Sequence, residues 1–240
     1  MSAARCRIAP GGNWRADNLL VPELPKAGGL RFNAAVDVKV KICGITNATD
    51  AEAAVAAGAD ALGLMFYADS PRHVSLEQAQ TLAKNMPPHI LRTGVFADPE
   101  PAEVVAAIQY CQLNLLQFHG AETPEFCRQF GVMSMKAFRV RDVESLAAMS
   151  AYSTDAFLLD GFVPGQPGGT GQTFNWELAV SAKKFGKPIF LAGGLTPENV
   201  AEAVRKVEPF GVDVSSGVEQ SPGKKDARKM QEFVAAVRGA

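Results

Sequence analysis

The fold this sequence predicts is a closed barrel of eight parallel strands wrapped by eight helices, a single (β/α)8 or TIM barrel. Three observations predict it. Short apolar runs alternate with amphipathic runs from Asp37 to the C-terminus, and the apolar runs number eight. Most are continuous rather than alternating, as strands covered on both faces must be. Strand and helix then repeat as a unit, which points to a barrel. A doubly wound open sheet is the rival. It would normally carry a glycine fingerprint after its first strand, and Cys43-Gly44-Ile45-Thr46 supplies none.

The strand candidates are 38–43, 61–66, 91–96, 115–118, 133–138, 156–160, 189–191 and 212–214. After the first, Thr46 or Asn47 can cap a helix that turns Ala51, Ala54, Val55 and Gly58 to one face, with Gly58 as its left-handed terminator. Asp98-Pro99-Glu100 and Glu122-Thr123-Pro124-Glu125 open two further helices with proline and acid in the first turn. Thr196-Pro197-Glu198 sets a cap, an N1 proline and an acidic first turn in order. Val200, Ala203, Val204 and Val207 then follow at i, i+3, i+4 and i+7.

The chain has 240 residues, 47% of them hydrophobic, with a net charge of −1 and a pI of 6.3. That balance leaves no electrostatic footprint for nucleic acid or an anionic membrane. No run approaches the roughly 18 apolar residues of a membrane span. Cys6, Cys43, Cys111 and Cys127 show no C-x-x-C pairing and are too sparse for a disulfide scaffold, which fits a reducing cytoplasm. Residues 1–36 differ: Arg5, Arg7, Arg15, Lys26 and Arg31 stand against only Asp17 and Glu23, among Pro10, Pro22 and Pro25. Leu19-Leu20-Val21 is too short for a secretory core. The segment reads as a disordered extension or an over-extended start of translation ahead of an organelle-targeting peptide. The catalytic domain is expected over 37–240.

In a barrel all strand C-termini meet on one face, so the strand ends carry the functional argument. The seventh ends in Ala192-Gly193-Gly194 and the eighth in Ser215-Ser216-Gly217. Gly/Ser turns there let a ligand approach backbone N–H groups, and phosphate sites of such barrels lie after strands seven and eight. Either turn alone could be only a tight turn. The sixth strand delivers Asp160 to the same face, where a partly desolvated carboxyl can donate a proton near neutrality. Asp160-Gly161 is also ordinary turn chemistry. The glycine-rich run that follows, through Gly168-Gly169-Thr170-Gly171, is long enough for a binding loop or lid, or for a tolerated insertion.

Cys43 closes the first strand just before a helix start, a position that favours exposure and partial ionisation, although most free cysteines are small core residues. Cys111 and Cys127 fall within predicted helices as structural residues. Arg72 follows the second strand and suits a bidentate hold on a carboxylate. His119 closes the fourth strand as a ligand contact or a polar rim residue. Lys41 and Lys136 lie inside strands, and both could point inward as the lysines of aldolase-type barrels do. The three histidines are scattered, and no metal constellation, Walker sequence or nicotinamide fingerprint emerges.

Five motifs together resemble phosphoribosylanthranilate isomerase. They are Lys41-Ile42-Cys43-Gly44-Ile45-Thr46, Gln117-Phe118-His119-Gly120, Gly168-Gly169-Thr170-Gly171 with Phe174 and Trp176, Leu191-Ala192-Gly193-Gly194-Leu195, and Asp213-Val214-Ser215-Ser216-Gly217-Val218-Glu219. Pro222-Gly223-Lys224-Lys225-Asp226 is similar too, and the likeness runs in order over about residues 38–237. Phe118 departs from it, because leucine is common there. The resemblance implies an Amadori rearrangement in tryptophan biosynthesis, with Cys43 as general base and Asp160 as general acid. It also implies Arg72 at the substrate carboxylate, Gly193, Gly194, Ser215, Ser216 and Gly217 at the phosphate, and a lid including Gly169. No cofactor is needed, since the substrate's own imine is the electron sink. A cytoplasmic monomer or homodimer acting on a phosphorylated aminosugar is the resulting expectation. Other phosphosugar barrels compete with it. An indoleglycerol-phosphate synthase would want a catalytic lysine and glutamates at strand ends. A dual-substrate isomerase would want aspartate where Cys43 stands. A non-catalytic phospholigand barrel would bind without turnover.

Overall fold

The computed structural model describes residues 37–161 and 176–240, so the expectations for residues 1–36 and for the loop bearing Gly169 lie outside the described residues. Eight strands form the barrel: β1 (Lys39–Cys43), β2 (Ala61–Met65), β3 (Leu91–Phe96), β4 (Leu115–Phe118), β5 (Met133–Val140), β6 (Ala156–Gly161), β7 (Ile189–Leu191) and β8 (Gly211–Val214). Each pairs in parallel with the next, and β8 closes on β1, with Val40 opposite Val212 and Lys41 opposite Asp213. Around it lie α1 (Ala48–Ala57), α2 (Leu76–Asn85), α3 (Pro101–Cys111), α4 (Pro124–Arg128), α5 (Trp176–Ala182), α6 (Val200–Val207) and α7 (Ala227–Arg238). Among the described residues no helix is long and apolar enough to cross a membrane.

The punctuation read from the sequence works mostly as expected. Asn47 caps α1 by accepting from the Asp50 amide at 2.9 Å, and Gly58 ends it at φ 97°. Thr123 caps α4 with Pro124 in its first turn. Two differences have local causes. Asn199, not Thr196, occupies the N-cap position of α6, and its Oδ1 accepts from the Thr196 amide rather than from the helix, holding residues 196–199 in a preceding turn. The helix expected between β5 and β6 is a 3-10 segment, Glu144–Ala151. At its start Ser145 and Asp142 exchange hydrogen bonds with nearby backbone, offering it an alternative to the α-helical ladder. A small hairpin of β9 (Glu219–Ser221) and β10 (Lys224–Lys225) follows β8 and is an element the sequence reading lacked.

Residues alternate between the barrel interior and the helix layer. Outward-facing Ile42, Leu62, Leu64, Phe96, Phe118 and Phe157 are fully buried under the helices, each worth roughly 1.5–3 kcal/mol of transfer free energy. Inside the barrel the two sides differ. From β4 to β7 the filling is apolar: Leu115, Met135, Ala137, Leu158, Phe190 and Ala192. The remaining arc buries Lys41, Thr93 and Asp213, joined by Gln117 at the C-terminal end of β4. Lys41 therefore does point inward. Lys136 does not: it alternates with interior Met135 and Ala137, and its ammonium reaches Glu122 at 2.9 Å and the Gly120 carbonyl at 2.6 Å in the helix layer.

Candidate active site

Cys43 ends β1 because Gly44 turns at φ 76° while the amides of Gly44 and Ile45 both donate to the Gly63 carbonyl at 3.0 Å. Ser215 Oγ donates to the Cys43 carbonyl at 3.1 Å, tying the tips of β1 and β8 together. The sulfur lies at Gly63 of β2, where a Cβ would come within 2.8 Å of Sγ and 3.1 Å of Lys41 Nζ. Glycine at 63 thus makes the space that thiol and ammonium share. Two expectations for Cys43 change. It is only 4% exposed, and α1 begins five residues further on, too far for its N-terminus to act on the sulfur. Burial pushes the thiol up and Asp213 adds to that, while Lys41 and Lys225 pull it down. The balance stays above the ordinary 9.0.

Asp160 shares the inward register of Ala156 and Leu158 and emerges at the same C-terminal mouth, its side chain 19% exposed. Its Oδ2 lies 3.3 Å from His119 Nε2. On the other side of that ring Nδ1 lies 3.2 Å from Gln117 Nε2. His119 is therefore not only a rim residue: it links the interior amide to the carboxyl. Gly193, read from the sequence as part of an anion turn, packs against this acid. A Cβ on it would lie 2.2 Å from the Gly161 nitrogen and 2.7 Å from Asp160 Oδ1, and its φ is 84°. Gly193→Ala is expected to lower unfolding free energy in urea melts by at least the roughly 1–2 kcal/mol of a left-handed alanine, because the collision adds to it.

Gly193 and Gly194 (φ 67°) turn the chain after β7, and Ser215 leads into a 3-10 turn, Ser216–Val218, after β8. The two turns touch directly: a Cβ on Gly217 would sit 1.9 Å from the Leu195 carbonyl oxygen. Asn199 Nδ2 donates to the Gly194 carbonyl at 2.9 Å, bracing the first turn. Lys225 Nζ donates to the Ser215 carbonyl at 3.1 Å, bracing the second.

Arg72 lies in the connection after β2, where the sequence reading put it, and it has a partner that reading did not foresee. Its fork already holds a protein carboxylate, with Nε 2.8 Å from Glu219 Oε1 and Nη2 2.7 Å from Oε2. Glu219 also receives Lys225 Nζ at 2.8 Å. Its pKa falls below the ordinary value: burial works against the charge, but Arg72 and Lys225 outweigh it. The β9–β10 hairpin therefore anchors Arg72 beside Gly44, a contribution sequence reading missed. Glu219 and Lys225 lay within the quoted motifs, but nothing in their spacing links them to residue 72. The Lys41–Asp213 pair, 2.8 Å apart, was missed in the same way.

Among the described residues, Cys43, Arg72, His119, Asp160, Gly193, Gly194, Ser215, Ser216 and Gly217 all lie at strand ends or the turns after them on the C-terminal face. The fold and these tips define a (β/α)8 barrel with its functional groups at the strand C-termini, the face on which such barrels mount their chemistry. The sequence profile of the family described as N-(5'phosphoribosyl)anthranilate (PRA) isomerase matches residues 40–236. The N-(5'-phosphoribosyl)anthranilate isomerase of Geobacter sulfurreducens is 52% identical over 202 residues, 84% of this chain and 99% of that protein. The Acidithiobacillus ferrooxidans protein of the same name is 50% identical, covering 84% of this chain and 98% of its own length. The crystal structure of phosphoribosyl anthranilate isomerase from Thermotoga maritima superposes with a TM-score of 0.80 at 40% identity, covering 85% of this chain and all of that one. A second structure, at TM-score 0.77 and 39% identity over the same shares, holds reduced 1-(o-carboxyphenylamino)-1-deoxyribulose 5-phosphate. This chain belongs to the phosphoribosylanthranilate isomerase family.

Proposed function

We propose that this chain catalyses the Amadori rearrangement of N-(5-phosphoribosyl)anthranilate to 1-(2-carboxyphenylamino)-1-deoxyribulose 5-phosphate. The observation that carries the reading is that Cys43 and Asp160 arrive from β1 and β6 at one mouth of one barrel, both at inward-facing positions. Family membership supplies the substrate.

Asp160 protonates the furanose ring oxygen, the C1–O bond breaks, and the nitrogen lone pair forms an iminium at C1. Cys43 as thiolate removes the C2 proton, and that electron pair neutralises the iminium nitrogen to give an enolamine. Loss of the C2 hydroxyl proton with protonation at C1 then yields the ketone. Atoms balance without a redox partner, so the chain's own acid and base suffice. His119 holds the Asp160 carboxyl and, through its second nitrogen, is itself held by Gln117. Gly193, Gly194, Ser215, Ser216 and Gly217 form the phosphate cradle at the fused turns, and Gly169 belongs to the segment expected to close over the substrate. Pairing with Glu219 uses two of the five guanidinium N–H groups of Arg72, which leaves three for the anthranilate carboxylate. The same reading places the enzyme in the cytoplasm as a monomer or homodimer with no nucleic-acid partner.

The test follows loss of phosphoribosylanthranilate fluorescence on adding the purified chain. Enzyme-dependent decay with appearance of the ketose is the expected result. A protein that binds the reduced product analogue but leaves the fluorescence unchanged is a binding barrel, and the proposal is then wrong.

A further inference from the structure

Beneath the thiol lies an interior ion pair that the reaction, as written, does not use. Lys41 is fully buried, two residues before Cys43 on the same inward face of β1, and its Nζ lies 2.8 Å from Asp213 Oδ1. Burying a lysine in a barrel interior is costly, because the pair must repay two desolvations. The ammonium is also unsuited to Schiff-base chemistry. Burial opposes its charge, but Asp213 and Cys43 more than restore it, so its pKa is raised. It remains a cation beside the sulfur. The space left at Gly63 puts Sγ and Nζ within 2.8 and 3.1 Å of one point.

The charges facing the sulfur come from four places. Lys41 lies on its own strand and Asp213 on β8. Arg72 comes from the loop after β2 and Lys225 from the hairpin after β8, where Glu219 pairs with both. Burial pulls Lys225 below its ordinary value, against the opposing effect of Glu219. With the ion pairs formed, three cations face two carboxylates, and the surplus positive charge is balanced when Cys43 is a thiolate. Glu219 is shared by Arg72 and Lys225, whereas Lys41 is the cation next to the sulfur.

We infer that Lys41, clamped by Asp213, is a positioning residue that acts through Cys43, fixing the sulfur at Gly63 and stabilising its anionic form. This rests on the reading of Cys43 as the base. Asp213 plays the opposite electrostatic part: it orients the ammonium but repels the thiolate. The two partners therefore have effects of opposite sign on the thiol.

The experiment titrates the ultraviolet absorbance of the Cys43 thiolate, isolated by subtracting the Cys43→Ser spectrum in each background. Lys41→Met alone leaves Asp213 buried without its partner and risks misfolding, so the charge-free pair Lys41→Met/Asp213→Asn is measured beside Asp213→Asn. Relative to the unaltered protein, the double variant is expected to move the midpoint up by about one pH unit or more, and Asp213→Asn to move it down. In the fluorescence assay the double variant is expected to lose roughly tenfold or more in kcat with little change in KM. Midpoints that stay fixed, or that move in the same direction in both variants, overturn the inference. If the unaltered protein shows no turnover, the proposed reaction fails, yet the titration still decides the role of Lys41.

Discussion

Cys43→Ser and Asp160→Asn are each expected to lower kcat for phosphoribosylanthranilate about 10³-fold, within the range of a lost general acid or base. KM should stay near that of the unaltered protein, because the phosphate turns and Arg72 are untouched. Serine keeps the shape at Gly63 but cannot ionise near neutrality. Asparagine keeps an acceptor for His119 Nε2 but has no acidic proton to give the ring oxygen. The double variant should be little worse than the poorer single one, because acid and base serve one reaction path and their losses do not add. Steady-state kinetics on the three variants, with the unfolding midpoint as a control, decide the matter. Full activity in either single variant would refute the acid–base pair.

The legible and illegible parts of this protein divide along one physical line. Strands covered on both faces are largely apolar, so 91–96, 115–118 and 189–191 are visible in the sequence despite Arg92, Thr93 and Gln117, and they end where β3, β4 and β7 end. Polar residues at the tips of such runs stand out, which is why Cys43, His119 and Asp160 could be singled out. Glycines before a helix start betrayed the turns after β7 and β8. That Gly193 makes room for Asp160 could not be seen, because it depends on β6 and β7 lying side by side. The ion pairs were illegible for the same reason. Lys41 and Asp213 are separated by 172 positions, and Arg72 and Glu219 by 147. A charge carries no mark of its partner until the barrel closes β8 onto β1. The inward lysine was visible as an anomaly, but its meaning depends on that closure.

Glu219→Gln tests the closure directly. Glu219 is nearly buried and receives Arg72 on both oxygens and the buried Lys225 on one. Neutralising it strands Lys225 in the interior and frees Arg72 from Gly44. Breaking a buried pair in this way costs about 3 kcal/mol or more, to be read from urea melts at pH 7. The pH dependence follows from the direction of its shift. Its carboxyl titrates lower in the folded chain than in the unfolded one, so its stabilisation is complete above the ordinary 4.5 and disappears as pH falls through the depressed folded value. The gap between the unaltered protein and Glu219→Gln should therefore be wide at pH 7 and narrow steadily below pH 4.5. A gap that stays constant into acid would mean that the ion pair is not its source. Glu219→Gln/Lys225→Met, which removes the stranded charge as well, should recover much of the lost stability. It should still raise KM, since Arg72 would meet the anthranilate carboxylate without the partner that aims it.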